Sequence, residues 1–143
     1  MNLFIRPVEV NYIAQIWPRV KTFLNDALTK DGEVPEWSEC YNIHHVQGFL
    51  SNGQWVLIVA VDENNEIHGA ATVSFSNYPM QRVAFITLIG GHLVSNSETF
   101  EQLCNLLKSY GATKLQGYGR PAIVRLWKRY GFEPRTTLVE VKL

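Results

Sequence analysis

The sequence predicts a single α/β (α+β) domain, and three observations carry that prediction. Two uninterrupted apolar runs, residues 55–61 and 83–89, have the pattern of strands covered on both faces. Apolar residues elsewhere recur at helical spacing, most clearly Phe100, Leu103, Cys104, Leu107 and Tyr110 at i, i+3, i+4, i+7 and i+10. Strand and helix signals also alternate along the whole chain, in the order β-α-α-β-β-β-α-β-α-β, without a repeat, linker or low-complexity segment.

Composition bounds the class. A chain of 143 residues fits one domain with a normal core, and 46% hydrophobic with 18% charged residues is ordinary for a globular protein. The apolar runs are too short to span a bilayer, and residues 1–20 lack the pattern of a signal peptide. Cys40 and Cys104 show no metal-ligand or CxxC spacing, so a reducing, cytoplasmic setting is expected. Net charge is zero but uneven. Residues 1–107 hold 5 Lys/Arg and 11 Asp/Glu, a net −6, whereas residues 108–143 hold 8 and 2, a net +6. Either the basic part meets an anionic partner, or the two parts offset each other by packing together.

Taken in order, Leu3, Phe4 and Ile5 form a short first strand. Asn11 caps a helix whose apolar face is Ile13, Ile16, Trp17, Val20, Leu24, Ala27 and Leu28, with a kink or restart expected at Pro18. Residues 30–36 read as a loop. A weaker helix runs from Ser38 or Glu39 to Leu50; its neighbouring His44 and His45 point to different faces, which argues against a metal site. Residues 55–61 form a central strand, 62–66 a turn and 67–75 the hairpin partner, broken by Asn77, Tyr78 and Pro79.

Residues 82–110 are the organising stretch: a buried strand, the Gly90-Gly91 turn, and a capped helix. The double glycine allows a sharp turn or a close approach to the backbone. Ser95 and Glu98 have capping-box spacing, and Gly111 stands at the helix C′ position. A strand leading through glycines into a helix N-terminus offers N–H groups to an anion, although many α/β folds use the same unit without a ligand. Residues 114–117 form a further strand. Pro121 opens a helix with Ile123, Leu126, Trp127 and Tyr130 inside, Gly131 ends it, and residues 137–143 alternate as a last strand.

In layout the chain resembles the GCN5-related N-acetyltransferase (GNAT) fold over nearly its full length. Ile5-Arg6-Pro7 resembles the opening strand, residues 54–75 the central hairpin, and residues 82–110 the cofactor-binding strand-loop-helix. LQGYGRPAIVRLWKRYGF, residues 115–132, is similar to the closing strand and helix ending in Gly-Phe. A narrower resemblance is to small GNAT-like proteins of tailed bacteriophages. It rests on Trp17-Pro18, Phe23-Leu24, Ala27-Leu28, Gly53 before Trp55, Gly90-Gly91, Gly119-Arg120, Arg125 and the Gly-aromatic pair at 131–132.

The resemblance implies a mixed, mostly antiparallel sheet with helices on both faces, and an acyl-CoA-dependent transfer to a small-molecule or protein amine. The pantetheine arm of acetyl-CoA would lie where the strands 82–89 and 114–117 splay apart, against the backbone of Thr87, Leu88, Ile89, Gly90 and Gly91. Its pyrophosphate would sit on Ser95, Asn96 and Ser97, with Arg120 and Arg125 as candidate phosphate ligands. His92 is a candidate base, and Tyr118, Trp127 and Tyr130 are candidate groups at the departing thiolate; each has a structural alternative as loop, core or packing residue. The chain departs from the family in two places. Its loop 91–96 has no glycine beyond Gly91 and no arginine, and Trp127 stands where the family has a proton-donating Tyr. These departures support an alternative, a non-catalytic GNAT-like phage protein acting as a virion component or host-interaction module. Neither membrane nor nucleic acid is an expected partner.

Overall fold

A computed structural model of the chain describes residues 2–29, 39–119 and 121–143. Five strands form one sheet in chain order: β1 (Phe4–Val8), β2 (Trp55–Val61), β3 (Ile67–Tyr78), β4 (Gln81–Gly91) and β5 (Lys114–Gly117). The first three pairings are antiparallel, and β4 with β5 is parallel. The parallel step requires a crossover, supplied by helix α3 (Ser97–Ser109). The other helices are α1 (Ile13–Thr29), α2 (Ile43–Ser51) and α4 (Pro121–Lys128). This is the mixed, mostly antiparallel sheet covered on both faces that the sequence predicts.

Strand alternation sorts the core into two layers. Leu57, Val59, Ala70 and Leu88 meet Trp17, Val20, Leu24, Val46 and Leu50 of α1 and α2. Ile58, Ala60, Ala71, Val73, Ala84 and Ile86 meet Leu103 and Leu107 of α3. Both faces of β2 and β4 are therefore apolar, and this is why their sequences read as continuous hydrophobic runs.

Several boundaries differ from the sequence expectation. The chain passes through Pro18 in one continuous helix, preceded by a 3-10 turn at Val10–Tyr12 that contains Asn11 in place of the expected cap. Five buried residues along α1 hold it to the sheet, and this packing outweighs the one backbone bond that proline forgoes. Helix α2 begins later than expected, because Asn42 accepts the N–H groups of His44 and His45 (3.0 Å each) while His45 Nδ1 accepts the Asn42 N–H (3.0 Å). The expected loop 30–36 lies outside the described residues.

Residues 137–143 form no strand. Leu138, Val139, Val141 and Leu143 are exposed instead. Alternation marks a segment able to pair but does not supply the partner edge, and the outer edge of β5 is only four residues long. Among the described residues no helix is long and apolar enough to cross a membrane.

Candidate active site

The site follows from how β4 and β5 part. Their pairing runs from Val83 with Lys114 to Ile86 with Gly117 and stops there, while β4 continues to Gly91. Trp127 of α4 lies against that last pair: a Cβ on Gly117 would stand 3.2 Å from the indole ring. Glycine at 117 thus lets the indole settle over the point of separation. Beyond it opens a cleft of about 260 Å³. Its floor is Ile86, Thr87, Leu88, Ile89, Gly90 and Gly91, and one wall is Tyr118, Ile123, Leu126 and Trp127. Leu93 and Val94 close one end, and Asp26 and Ala27 of α1 reach it from the other side of the sheet edge.

The β4 edge is shaped by a bulge. Thr72 pairs with Leu88 but Val73 pairs with Ile86, so Thr87 is an extra residue. The extra residue reverses the alternation: Ile86 faces the α3 layer, whereas Leu88, two residues on, faces the α1 layer. The Thr87 hydroxyl donates to the Thr72 carbonyl (3.0 Å) and lies 2.6 Å from the Thr72 hydroxyl, securing the bulge inside a buried setting. Past it, the His92 N–H bonds the His68 carbonyl (2.8 Å) with Gly69 opposite Gly91, which fixes the ladder's phase. By alternation, Ile89 opposite Ala71 then turns its N–H and C=O away from β3, toward the cleft.

The double glycine serves a close approach. A Cβ on Gly90 would stand 2.2 Å from the Phe23 carbonyl oxygen, and one on Gly91 2.5 Å from the His68 carbonyl oxygen and 2.7 Å from the Phe23 ring. Helix α1 therefore crosses β4 in contact with its backbone, and this crossing carries Asp26 and Ala27, one turn later, to the cleft. Gly91 also has φ +70°, a left-handed conformation that favours glycine.

At the N-terminus of α3 the capping box sits one residue later than expected. Asn96, not Ser95, is the cap: its Oδ1 accepts the Thr99 N–H (2.9 Å). Thr99 Oγ1 accepts the N–H groups of Ser95 (3.0 Å) and Asn96 (3.2 Å). Asn96 and Thr99 outcompete Ser95 and Glu98 because Thr99 is buried, 2% exposed, and its hydroxyl serves the Ser95 and Asn96 amides at once. The N–H groups of Ser97 and Glu98 stay without a partner among the described residues, and the Glu98 carboxylate takes no part in the cap.

The other candidates spread around this centre. Tyr118 lines the cleft, 41% exposed, with its ring edge-on to Phe85 at 5.0 Å. Trp127 has two neighbourhoods, since it walls the cleft and also packs beside Phe132 at 5.1 Å. Tyr130 stacks on Phe100 at 4.9 Å and does not line the cleft. His92 is an exposed loop residue outside the lining, and Arg125 is exposed on α4. Arg120 lies outside the described residues. Asp26 was not anticipated: nothing in its spacing on a helix marks it, and only the α1–β4 crossing reveals it. Among the described residues no three His, Cys, Asp or Glu side chains converge as a metal site.

The sheet, the parted strands and the helix that follows define the fold of the GNAT acetyltransferases, and comparison with solved structures agrees. A predicted acetyltransferase from Clostridium acetobutylicum, solved with acetyl-CoA, matches 99% of this chain and 96% of its own at TM-score 0.62 and 20% identity. An aminoglycoside acetyltransferase from an uncultured soil metagenomic sample, in complex with sisomicin, matches 99% and 96% at TM-score 0.66 and 14% identity. A Trypanosoma brucei acetyltransferase matches 99% and 100% at TM-score 0.60 and 14% identity. At these identities the likeness is one of fold, and nothing in it links the chain to bacteriophage proteins. No family model matches the chain, and no curated protein matches it in sequence.

Proposed function

We propose that this chain is a GNAT-like N-acyltransferase that moves an acetyl group from acetyl-CoA to a small-molecule amine. The observation that carries the reading is the open edge of β4 beyond Ile86, with the backbone of Ile89 turned into a cleft between strands. A pantetheine arm carries amides that would pair with Ile89 as a neighbouring strand does. The unpartnered N–H groups of Ser97 and Glu98 suit an anion such as its pyrophosphate, and Arg125 and Arg120 would add cations. Acetyl-CoA, when bound, supplies an acyl group activated as a thioester.

The chain's part is positioning and proton traffic. The cleft walls, Tyr118, Leu126 and Trp127, exclude water and leave the carbonyl open to attack. The N–C bond forms as the C–S bond breaks; the amine's proton leaves to water at the mouth, and the Tyr118 phenol donates a proton to the departing sulfur. Tyr118 regains its proton from solvent, to which it is open. A cytoplasmic site of action belongs to this reading. Calorimetric titration with acetyl-CoA, followed by thiol release in the presence of amines, tests it. Tyr118→Phe is expected to lower turnover by about 10²-fold, the low end of general-acid assistance, at unchanged acetyl-CoA affinity. No binding at millimolar acetyl-CoA rejects the reading.

One observation favours a second reading, that of a non-catalytic GNAT-like protein such as a phage virion component or host-interaction module. The uncapped Glu98 carboxylate stands where the pyrophosphate would bind, and Thr99 consumes two of the loop's amides. The same titration separates the two: that reading requires no acetyl-CoA binding and no turnover.

A further inference from the structure

Among the described residues, Asp26 is the only charged side chain lining the cleft. The other described lining residues are aliphatic, aromatic or glycine, apart from Thr87, whose hydroxyl is spent on Thr72, and Tyr118. Among the described residues no Lys, Arg or His pairs with Asp26, and no hydrogen bond engages its carboxylate. The residue is also held in place. Phe23, one turn earlier on α1, is locked against Gly90 and Gly91, and Ala27 and Leu28 beside it pack against the core. The Asp26 backbone is thus anchored at the rim of a cleft whose other described lining residues carry no charge.

From this placement we infer that Asp26 is the acceptor-recognition group, and that the acceptor is a cationic amine. The inference rests on the acyltransferase reading and adds to it the charge class of the acceptor and the residue that selects it. The physical reason is desolvation. A ligand covering the rim removes water from an ionised carboxylate, and that loss is recovered only if the ligand brings a positive charge or a strong donor. A neutral amine would leave the carboxylate dry and unpaired, so the site discriminates against it. The alkylammonium groups of a polyamine supply both charge and donors; one ammonium held at Asp26 leaves a second nitrogen to reach the thioester carbonyl.

The test uses the whole chain, spermidine as a cationic probe and aniline as an amine uncharged at neutral pH. Asp26→Asn keeps the side chain's shape on an exposed helical position. Calorimetry is expected to show spermidine binding weakened about 10-fold by the substitution, with acetyl-CoA affinity unchanged. Salt should weaken spermidine binding to the wild type and not to the variant. In thiol-release assays the spermidine KM should rise at nearly constant kcat, whereas the aniline KM should fall, because the variant no longer has a carboxylate to desolvate. Equal spermidine affinity in both proteins, or none in the wild type, overturns the inference. Tighter acetyl-CoA binding by the variant also overturns it, because Asp26 would then face the cofactor's phosphates. Asp26-dependent spermidine binding without acetyl-CoA binding leaves the cation site standing and rejects the acyltransferase reading instead.

Discussion

The contact between α1 and the end of β4 positions the cleft, and Gly90→Ala tests it. The added Cβ would lie 2.2 Å from the Phe23 carbonyl oxygen and 3.0 Å from its carbonyl carbon. Both are backbone atoms in the middle of a helix, so no side-chain rotation relieves the clash. The helix must move by at least about 0.8 Å to restore a 3.0 Å separation. Overpacking of this kind costs about 1–3 kcal/mol, offset by roughly 0.4–1 kcal/mol from the reduced freedom of the unfolded chain. The net cost of about 0–2.6 kcal/mol, at about 4 °C per kcal/mol for a domain of this size, should lower the melting temperature by up to roughly 10 °C. Gly48→Ala is the internal control. Gly48 is exposed within α2, and a Cβ there meets nothing within 4 Å. It should raise stability by roughly 0.5–1 kcal/mol. Thermal and urea unfolding of the two variants measure the difference. If Gly90→Ala is as stable as Gly48→Ala, helix α1 does not lie on β4 as described, and the placement of Asp26 at the cleft fails with it.

Thr87→Val removes the hydroxyl that secures the bulge and leaves the buried Thr72 hydroxyl and carbonyl short of a partner, at a cost of about 1–3 kcal/mol in urea unfolding; Thr87→Ser, which keeps the hydroxyl, should avoid most of that loss. Glu98→Gln should tighten acetyl-CoA binding. Two like charges about 5 Å apart repel by roughly 3 kcal/mol at an effective dielectric near 20, and by roughly 0.8 kcal/mol at the water value that suits this exposed residue. A gain of about 3- to 5-fold that shrinks with added salt is therefore expected in calorimetry. Asp62 holds the β2–β3 turn, where its carboxylate meets His68 Nε2 at 2.8 Å and accepts the N–H groups of Asn64 and Glu66 (2.8 and 3.0 Å). The hydrogen bond to His68 foremost, then that from Glu66, keeps its pKa below the ordinary 3.8. A depressed carboxylate stabilises the fold above its unfolded pKa, and that contribution is lost as pH falls through the folded value. Acid unfolding of Asp62→Asn should accordingly lack the part of the wild-type stability loss that sets in below about pH 4.

Much of the architecture is legible in the sequence because it rests on local pattern. The apolar runs of β2 and β4, the hairpin turn, the helix face at Leu103 and Leu107 and the terminal glycines Gly111 and Gly131 each announce an element. What pattern conceals is phase and partnership. The Thr87 bulge lies within a run that is apolar on both faces, so the reversal between Ile86 and Leu88 leaves no mark. Asn96 and Ser95 are both good caps, and only the burial of Thr99 decides between them. Residues 137–143 carry a strand's alternation without an edge to join. In the site, the β4 segment Thr87, Leu88, Ile89, Gly90 and Gly91 is found with Tyr118 and Trp127 around one cleft. Asp26 was hidden because its place at the cleft depends on a helix crossing two glycines more than sixty positions away in the chain.

The proposed function requires an acyl-CoA to occupy the open edge of β4. Backbone amide chemical shifts followed by NMR during acetyl-CoA titration test it most directly. Saturable shifts are expected at Ile89, Ser97 and Glu98, with the exchange of the Ile89 amide slowed as it gains a partner. Shifts confined to other surfaces, or none at millimolar acetyl-CoA, would contradict it.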